Sequence, residues 1–261
     1  MHVGKLIYAS LLFICFYSCK NKEPAYGKPV SDPSGITGSF ISFWQYKEDK
    51  VKLYEEFVAL DEERRPVPQD TFLRRLTTGM YLPLRLQATD STACYQLHPL
   101  KEGTDPEIQE TIKAWANEEY AWYRLEGTEV PRFSFTDMQG KKYNSESIKG
   151  KTVVLKCWFV NCLPCRQEMP ALNEIKQQYK DRDDILFLSI CLDDRKEVAA
   201  FLKETKFDYA VIPGQQSYIT DSLQVEAYPT HFVINKEGRI VKRLTDYRGM
   251  AYILKKEAEL H

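Results

Sequence analysis

Cys162-Leu163-Pro164-Cys165 is the stretch of this chain whose residue types and spacing specify a reaction. Two thiols separated by two residues can pass a disulfide back and forth. One attacks a substrate disulfide as thiolate, and the second attacks the mixed disulfide that results. The apolar run at 152–160 reads as a buried strand, and a helical pattern begins at Pro164, so the motif falls at a strand-to-helix junction. Cys162 then sits at a helix N-terminus, where free N–H groups and the helix dipole favour a thiolate. Cys165 lies one turn in, sheltered and close. Pro164 suits the opening turn. Half of a four-ligand zinc site has the same spacing, but no second pair stands at such a spacing, so no metal is expected.

The other cysteines are read through the N-terminus. His2 and Lys5 precede an uncharged, mostly apolar run from 6 to 18, which ends at Cys19 with Lys20 behind it. The run is shorter than the roughly 20 residues that span a bilayer, and reads as a signal-peptide core over 1–18. Phe16-Tyr17-Ser18-Cys19 resembles a bacterial lipoprotein signal, with Cys19 the lipidated residue, although Phe16 and Tyr17 are bulky for that site. A plain cleaved signal and an uncleaved anchor are the alternatives. All three place the mature chain outside the cytoplasm. Setting aside Cys15 and Cys19 leaves Cys94, Cys157, Cys162, Cys165 and Cys191, too few for a disulfide-stapled scaffold. Lys and Arg number 36 against 37 Asp and Glu, which offers nucleic acid no basic surface, and the mean hydropathy of −0.45 excludes a multi-span membrane protein.

The positioning elements divide the chain. Residues 19–38, with Pro24, Pro29 and Pro33, read as a flexible tether. Residues 39–127 read as an α+β domain of unknown role, with a strand at 39–46, an amphipathic helix or else a hairpin at 47–63, a helix capped by Asp70, strands at 80–87 and 93–97, and a helix opened by Asp105 and Pro106. Cys94 and His98 are expected to be structural there. From 130 the pattern alternates: strands at 152–160, 185–192, 209–212, 231–235 and 239–245, with helices at 164–180, 195–205 and 252–260. That alternation predicts a three-layer α/β domain over 130–261.

Four features of this half resemble the thioredoxin-like superfamily, and within it the TlpA/ResA-type extracytoplasmic thiol–disulfide oxidoreductases. Val153-Val154-Leu155-Lys156-Cys157-Trp158-Phe159 runs into the motif; Pro170 follows Cys165 by five residues; Tyr228-Pro229-Thr230-His231 looks like a cis-proline segment; and Glu168 follows Cys165 by three. The resemblance implies a thioredoxin-like fold with a central mixed sheet, preceded by the smaller α+β domain. It implies a redox-active Cys162–Cys165 disulfide, proton transfer assisted by Glu168, and substrate docking on Trp158, Leu163, Pro164, Tyr228 and Pro229. Neither metal nor organic cofactor is required. The implied partners are protein thiols or disulfides and an upstream membrane electron donor.

Lys156 departs from the cytosolic pattern, which keeps a buried acid there. Either its charge favours thiolate at the pair, or its stem packs while the ammonium reaches solvent or Glu168. Cys157 and Cys191 are expected to be core thiols, with a second redox pair the outside reading, and His231 is expected to pack in its strand. Two rival functions stay open. A peroxiredoxin would need Pro seven and Thr three residues before its reactive cysteine, where Leu155 and Phe159 stand. A binding lipoprotein would place the main function in 39–127.

Overall fold

A computed structural model describes residues 26–88 and 92–260. The expected signal segment and Cys19 lie outside the described residues.

The N-terminal half is a four-stranded sheet with helices around it. Its strands are β1 (Tyr26–Pro29), β2 (Phe57–Leu60), β3 (Tyr81–Ala88) and β4 (Ala93–Pro99), in the order β1-β3-β4-β2. Its helices are α1 (Pro33–Ile36), α2 (Phe40–Lys50), α3 (Gln69–Leu76) and α4 (Pro106–Tyr123). Phe43, Phe72, Tyr95, Leu97 and Ile112 are among its core residues.

Four expectations fail here, each for a local reason. Residues 26–36 are folded and not a tether: β1 pairs antiparallel with β3, and Asp32 caps α1, whose Ile36 is buried. Residues 40–50 form a helix where a strand was expected. Ser39 caps it by accepting the Ser42 N–H at 3.1 Å, and Phe43 and Tyr46, three apart, face the core, so the partial alternation of apolar residues was incidental. The helix expected at 47–63 is replaced by turns and β2, because Phe57-Val58-Ala59-Leu60 is taken up in parallel pairing with β4. Asp70 lies in the first turn of α3 and accepts the Tyr120 hydroxyl at 3.1 Å; Pro68 holds the cap position. Asp105 caps α4 as expected, its carboxylate accepting the Glu107 N–H at 2.9 Å.

The C-terminal half has the thioredoxin-like α/β fold. A small hairpin, β5 (Ser134–Thr136) with β6 (Lys142–Asn144), precedes β7 (Thr152–Trp158), β8 (Ile185–Cys191), β9 (Ala210–Ile212), β10 (Thr230–Ile234) and β11 (Ile240–Leu244). These last five form a mixed sheet in the order β11-β10-β7-β8-β9. β7 is central, parallel to β8 and antiparallel to β10, and all seven of its residues are buried, as its apolar run demands.

On one face pack α5 (Leu163–Gln167), α6 (Met169–Gln178), α7 (Arg195–Glu204) and α8 (Tyr247–Glu259). The other face is covered by the β5–β6 hairpin and the turn Tyr218–Ser222. The helix expected at 164–180 is two helices meeting at Glu168, with Pro170 in the opening turn of the second, where its missing N–H costs nothing. α8 starts earlier than expected, because Asp246 caps it by accepting the Gly249 N–H at 2.9 Å.

The halves join along β11. Gly127 N–H donates to Ile240 O at 2.8 Å, and Val130 N–H donates to Gly238 O at 3.0 Å. Lys242 pairs with Glu126 at 2.6 Å, and Arg243 stacks over Trp122.

Candidate active site

β7 ends at Trp158, and the chain turns once before Cys162 caps α5. The turn is fixed by Asp193, whose carboxylate accepts the Val160 N–H at 2.6 Å. Cys162 Sγ accepts the Cys165 N–H at 3.2 Å, so the sulfur takes one of the donors that a helix start leaves free. Cys162 and Cys165 form a disulfide, with Cα atoms 5.3 Å apart. Cys162 is 3% exposed and Cys165 0%, so in the oxidised state neither sulfur stands clear of the protein. Leu163 beside them is 62% exposed, and Pro164 is exposed too, which makes these two the outward surface of the motif.

Register places the second site segment. Thr230 of β10 pairs with Cys157 of β7, so Tyr228 and Pro229 reach the end of the sheet where β7 gives way to the motif. The Tyr228–Pro229 bond is cis. Pro229 is buried, Tyr228 is half-buried, and the Tyr228 ring meets Phe159 edge-on at 5.5 Å. Trp158 does not join them. It is fully buried, its ring packed on Phe201 and Phe207 beneath the motif, so its expected contact with substrate is corrected to a core role; Phe159, half-buried, holds the surface position.

Below the motif lies a buried polar cluster. Alternation puts Lys156 on the face of Trp158, and antiparallel register sets His231 directly across from it. One rung of the sheet reads Leu244, His231, Lys156, Ser189, Val211 across all five strands. Glu168, at the joint of α5 and α6, comes down on this rung. Lys156 donates to Glu168 Oε1, and His231 Nε2 lies 3.1 Å from the same oxygen. That approach is at hydrogen-bond distance but off the N–H line, so neither imidazole nitrogen makes a formed hydrogen bond. Lys156 and His231 are 0% exposed and Glu168 7%. Burial pushes the Glu168 carboxyl up, but His231 and Lys156 outweigh it and hold the group below its ordinary value. Burial draws the Lys156 ammonium down against the pull of Glu168, and likewise draws His231 down.

Of the two readings of Lys156, the ammonium meets Glu168 within the protein and not solvent, and its charge is balanced there. His231 does pack in its strand, but the sequence reading missed its approach to Glu168. The pairing of β10 with β7 brings the two together, and no local spacing encodes that pairing. Cys157 and Cys191 are core thiols on opposite faces of the sheet, which removes the second redox pair. Burial pushes the Cys157 thiol up to about 12, while Cys191 donates to Asp193 at 3.2 Å. Cys94 is buried in the N-terminal core.

The AhpC/TSA family model matches residues 127–243. The thiol-disulfide oxidoreductase ResA of Bacillus anthracis is 37% identical over 123 residues, which cover 45% of this chain and 68% of the relative. The chain belongs to the ResA-type thiol-disulfide oxidoreductases. ResA of Bacillus subtilis (strain 168) is 29% identical over 120 residues, covering 46% of this chain and 67% of that protein. Among solved structures, a thiol-disulfide oxidoreductase from Bacteroides fragilis NCTC 9343 superposes with a TM-score of 0.45 at 21% identity, covering 49% of this chain and 98% of that one. The family model and the ResA relatives cover the C-terminal half, which holds the Cys162–Cys165 disulfide.

Proposed function

We propose that this oxidoreductase is a membrane-tethered, extracytoplasmic enzyme that reduces disulfides in protein substrates through Cys162 and Cys165. The observation that carries the assignment of roles is the capping of α5: Cys162 receives a helix-start N–H on its sulfur, while Cys165 is fully enclosed one turn later. A thiolate is therefore favoured at Cys162. Cys162 attacks the substrate disulfide, forming one S–S bond and releasing one substrate thiol. Cys165 then gives up its proton, with Glu168 as acceptor, and attacks Cys162. The second substrate thiol leaves, and the enzyme ends as the disulfide described above. An upstream membrane donor returns two electrons and two protons. Leu163 and Pro164, exposed beside the pair, and the Tyr228–Pro229 segment form the docking surface.

Cys165→Ala tests the roles. It can start the reaction and cannot finish it, so mixed disulfides with partner proteins accumulate and vanish on reduction. Cys162→Ala traps little. Equal trapping by both variants overturns the assignment.

The tether is supported by the charged, apolar and Ser18-Cys19 pattern. No helix among the described residues is long and apolar enough to cross a membrane. Cys19→Ala should move the protein out of the membrane fraction. A variant that stays bound overturns the lipid anchor.

A further inference from the structure

His231 is costly where it stands. Both ring nitrogens are buried, and neither has a formed hydrogen bond. An apolar side chain in this strand would avoid that desolvation. The charged groups around it already have partners. Lys156 on β7 donates to Glu168, and Asp246 at the start of α8 accepts the Gly249 N–H. Leu244, its rung neighbour on β11, is apolar. Beyond Lys156 the rung continues to Ser189, whose hydroxyl like the Tyr209 phenol is buried without a partner, but neither carries charge, and burial holds the phenol neutral. What the imidazole faces at polar distance is Glu168 Oε1, already the acceptor of Lys156.

We propose that His231 is a positioning residue for thiol exchange: in the reduced enzyme it and Lys156 pin the Glu168 carboxylate by Oε1, leaving Oε2 to take the proton of Cys165. This rests on the roles assigned above to Cys162 and Cys165. Catalytic hydrogen bonds in resting enzymes are often misaligned and tighten during reaction, so the off-line approach in the oxidised state fits the role. In the resolving step the Cys165 thiol proton passes to Glu168, and the Cys165 sulfur bonds to Cys162. The bond from Cys162 to the substrate sulfur breaks, and that sulfur leaves as thiolate and takes up a proton. Burial keeps the imidazole neutral near neutral pH. It therefore adds a second donor to Glu168 without adding a cation to a charge that Lys156 already balances.

The test separates the two half-reactions. The reduced full chain reacts with 5,5′-dithiobis(2-nitrobenzoate); the first coloured thiolate reports attack by Cys162, the second resolution by Cys165. His231→Gln keeps a donor where Nε2 stands, while His231→Asn is polar but too short to reach Glu168. A carboxylate accepts protons only when ionised. Losing the donor lets burial raise Glu168, so resolution weakens from the acid side. The ratio of second-phase to first-phase rate in His231→Asn should recover about one pH unit higher than in wild type, and sit about tenfold lower below that point. His231→Gln should track wild type. The ratio cancels any general loss of folded enzyme. An unchanged profile in His231→Asn, or an equal fall in both variants, overturns the role of His231 while leaving the cysteine roles intact. Wild-type release of a single coloured thiolate, with no second equivalent, overturns both.

Discussion

The four-stranded and five-stranded sheets both close around large apolar cores, but they treat buried polar groups differently. In the N-terminal half those groups serve the backbone. Asp61 accepts the N–H groups of Glu63 and Arg65, Gln96 donates to Glu62 O, and the hydroxyls of Tyr46 and Tyr95 join main-chain groups of neighbouring segments. Each shapes a turn or ties two elements together. In the C-terminal half Asp137 does the same for the Gln139 and Lys141 N–H groups, but against the five-stranded sheet Lys156, Glu168 and His231 meet one another through side chains and hold no loop in place. Buried polar groups that face one another and not the backbone are the kind that cluster at functional sites, which fits the role proposed for this sheet.

The largest expected effect tests that contrast at the cysteines. Cys162→Ser should reduce disulfide exchange to background, because the serine hydroxyl is not ionised near neutral pH and cannot replace the thiolate. Cys94→Ala in the N-terminal core should leave the exchange rate as in wild type and cost about 1 kcal/mol of stability for the small cavity. An insulin-reduction assay alongside chemical denaturation reads both. Loss of exchange in Cys94→Ala would erase the distinction between the halves.

Next comes the buried pair. Glu168→Gln leaves the Lys156 ammonium enclosed without a counter-charge and should cost about 3–5 kcal/mol, as should Lys156→Met by stranding Glu168. The double variant should recover most of the loss, since it removes both charges. The pH dependence has a definite sign. A carboxyl held below its ordinary value stabilises the fold above its unfolded pKa, and that contribution is lost as pH falls through the folded one. Acid should therefore destabilise wild type below about pH 4, and Glu168→Gln should flatten that fall. A double variant no better than either single one would mean that Lys156 and Glu168 do not act as a pair.

The same contrast explains what could be read along the chain. The C-terminal half was legible because its signals are local and strong: the apolar run of β7, the two cysteines, Pro170 and Tyr228-Pro229 each carry their meaning within a few residues. The N-terminal half was misread where its signals are shared between helix and strand. Phe40, Trp44 and Tyr46 suit alternation while Phe43 and Tyr46, three apart, suit a helix, and only packing against the core picks the helix. β2 was missed because its parallel partner β4 lies more than 30 residues away. Trp158 had the right sequence position and the wrong depth, since alternation gives a face but not what covers it. The Glu168–His231 approach depends on an antiparallel register and a helix joint together, and no spacing in the sequence states either.

The smallest expected effect lies at the seam, where α8 of one half touches Tyr54 of the other. Gly249 sits in the first turn of α8 and is buried. A Cβ there would stand 2.8 Å from Leu244 Cδ2 and 3.1 Å from the Tyr54 ring. Gly249→Ala gains about 1 kcal/mol of helix propensity and loses about 1–3 kcal/mol to overpacking. Leu244 is buried and gives little, whereas the half-buried Tyr54 ring can swing outward, so the net should be a loss of about 1 kcal/mol. The loss should fall on the seam in particular. Tyr54→Ala should remove one of the two clashes, so the double variant should be more stable than the sum of the single effects by several tenths of a kcal/mol. Thermal unfolding of the four proteins measures the cycle. Strict additivity would show that Tyr54 does not press on α8 at Gly249.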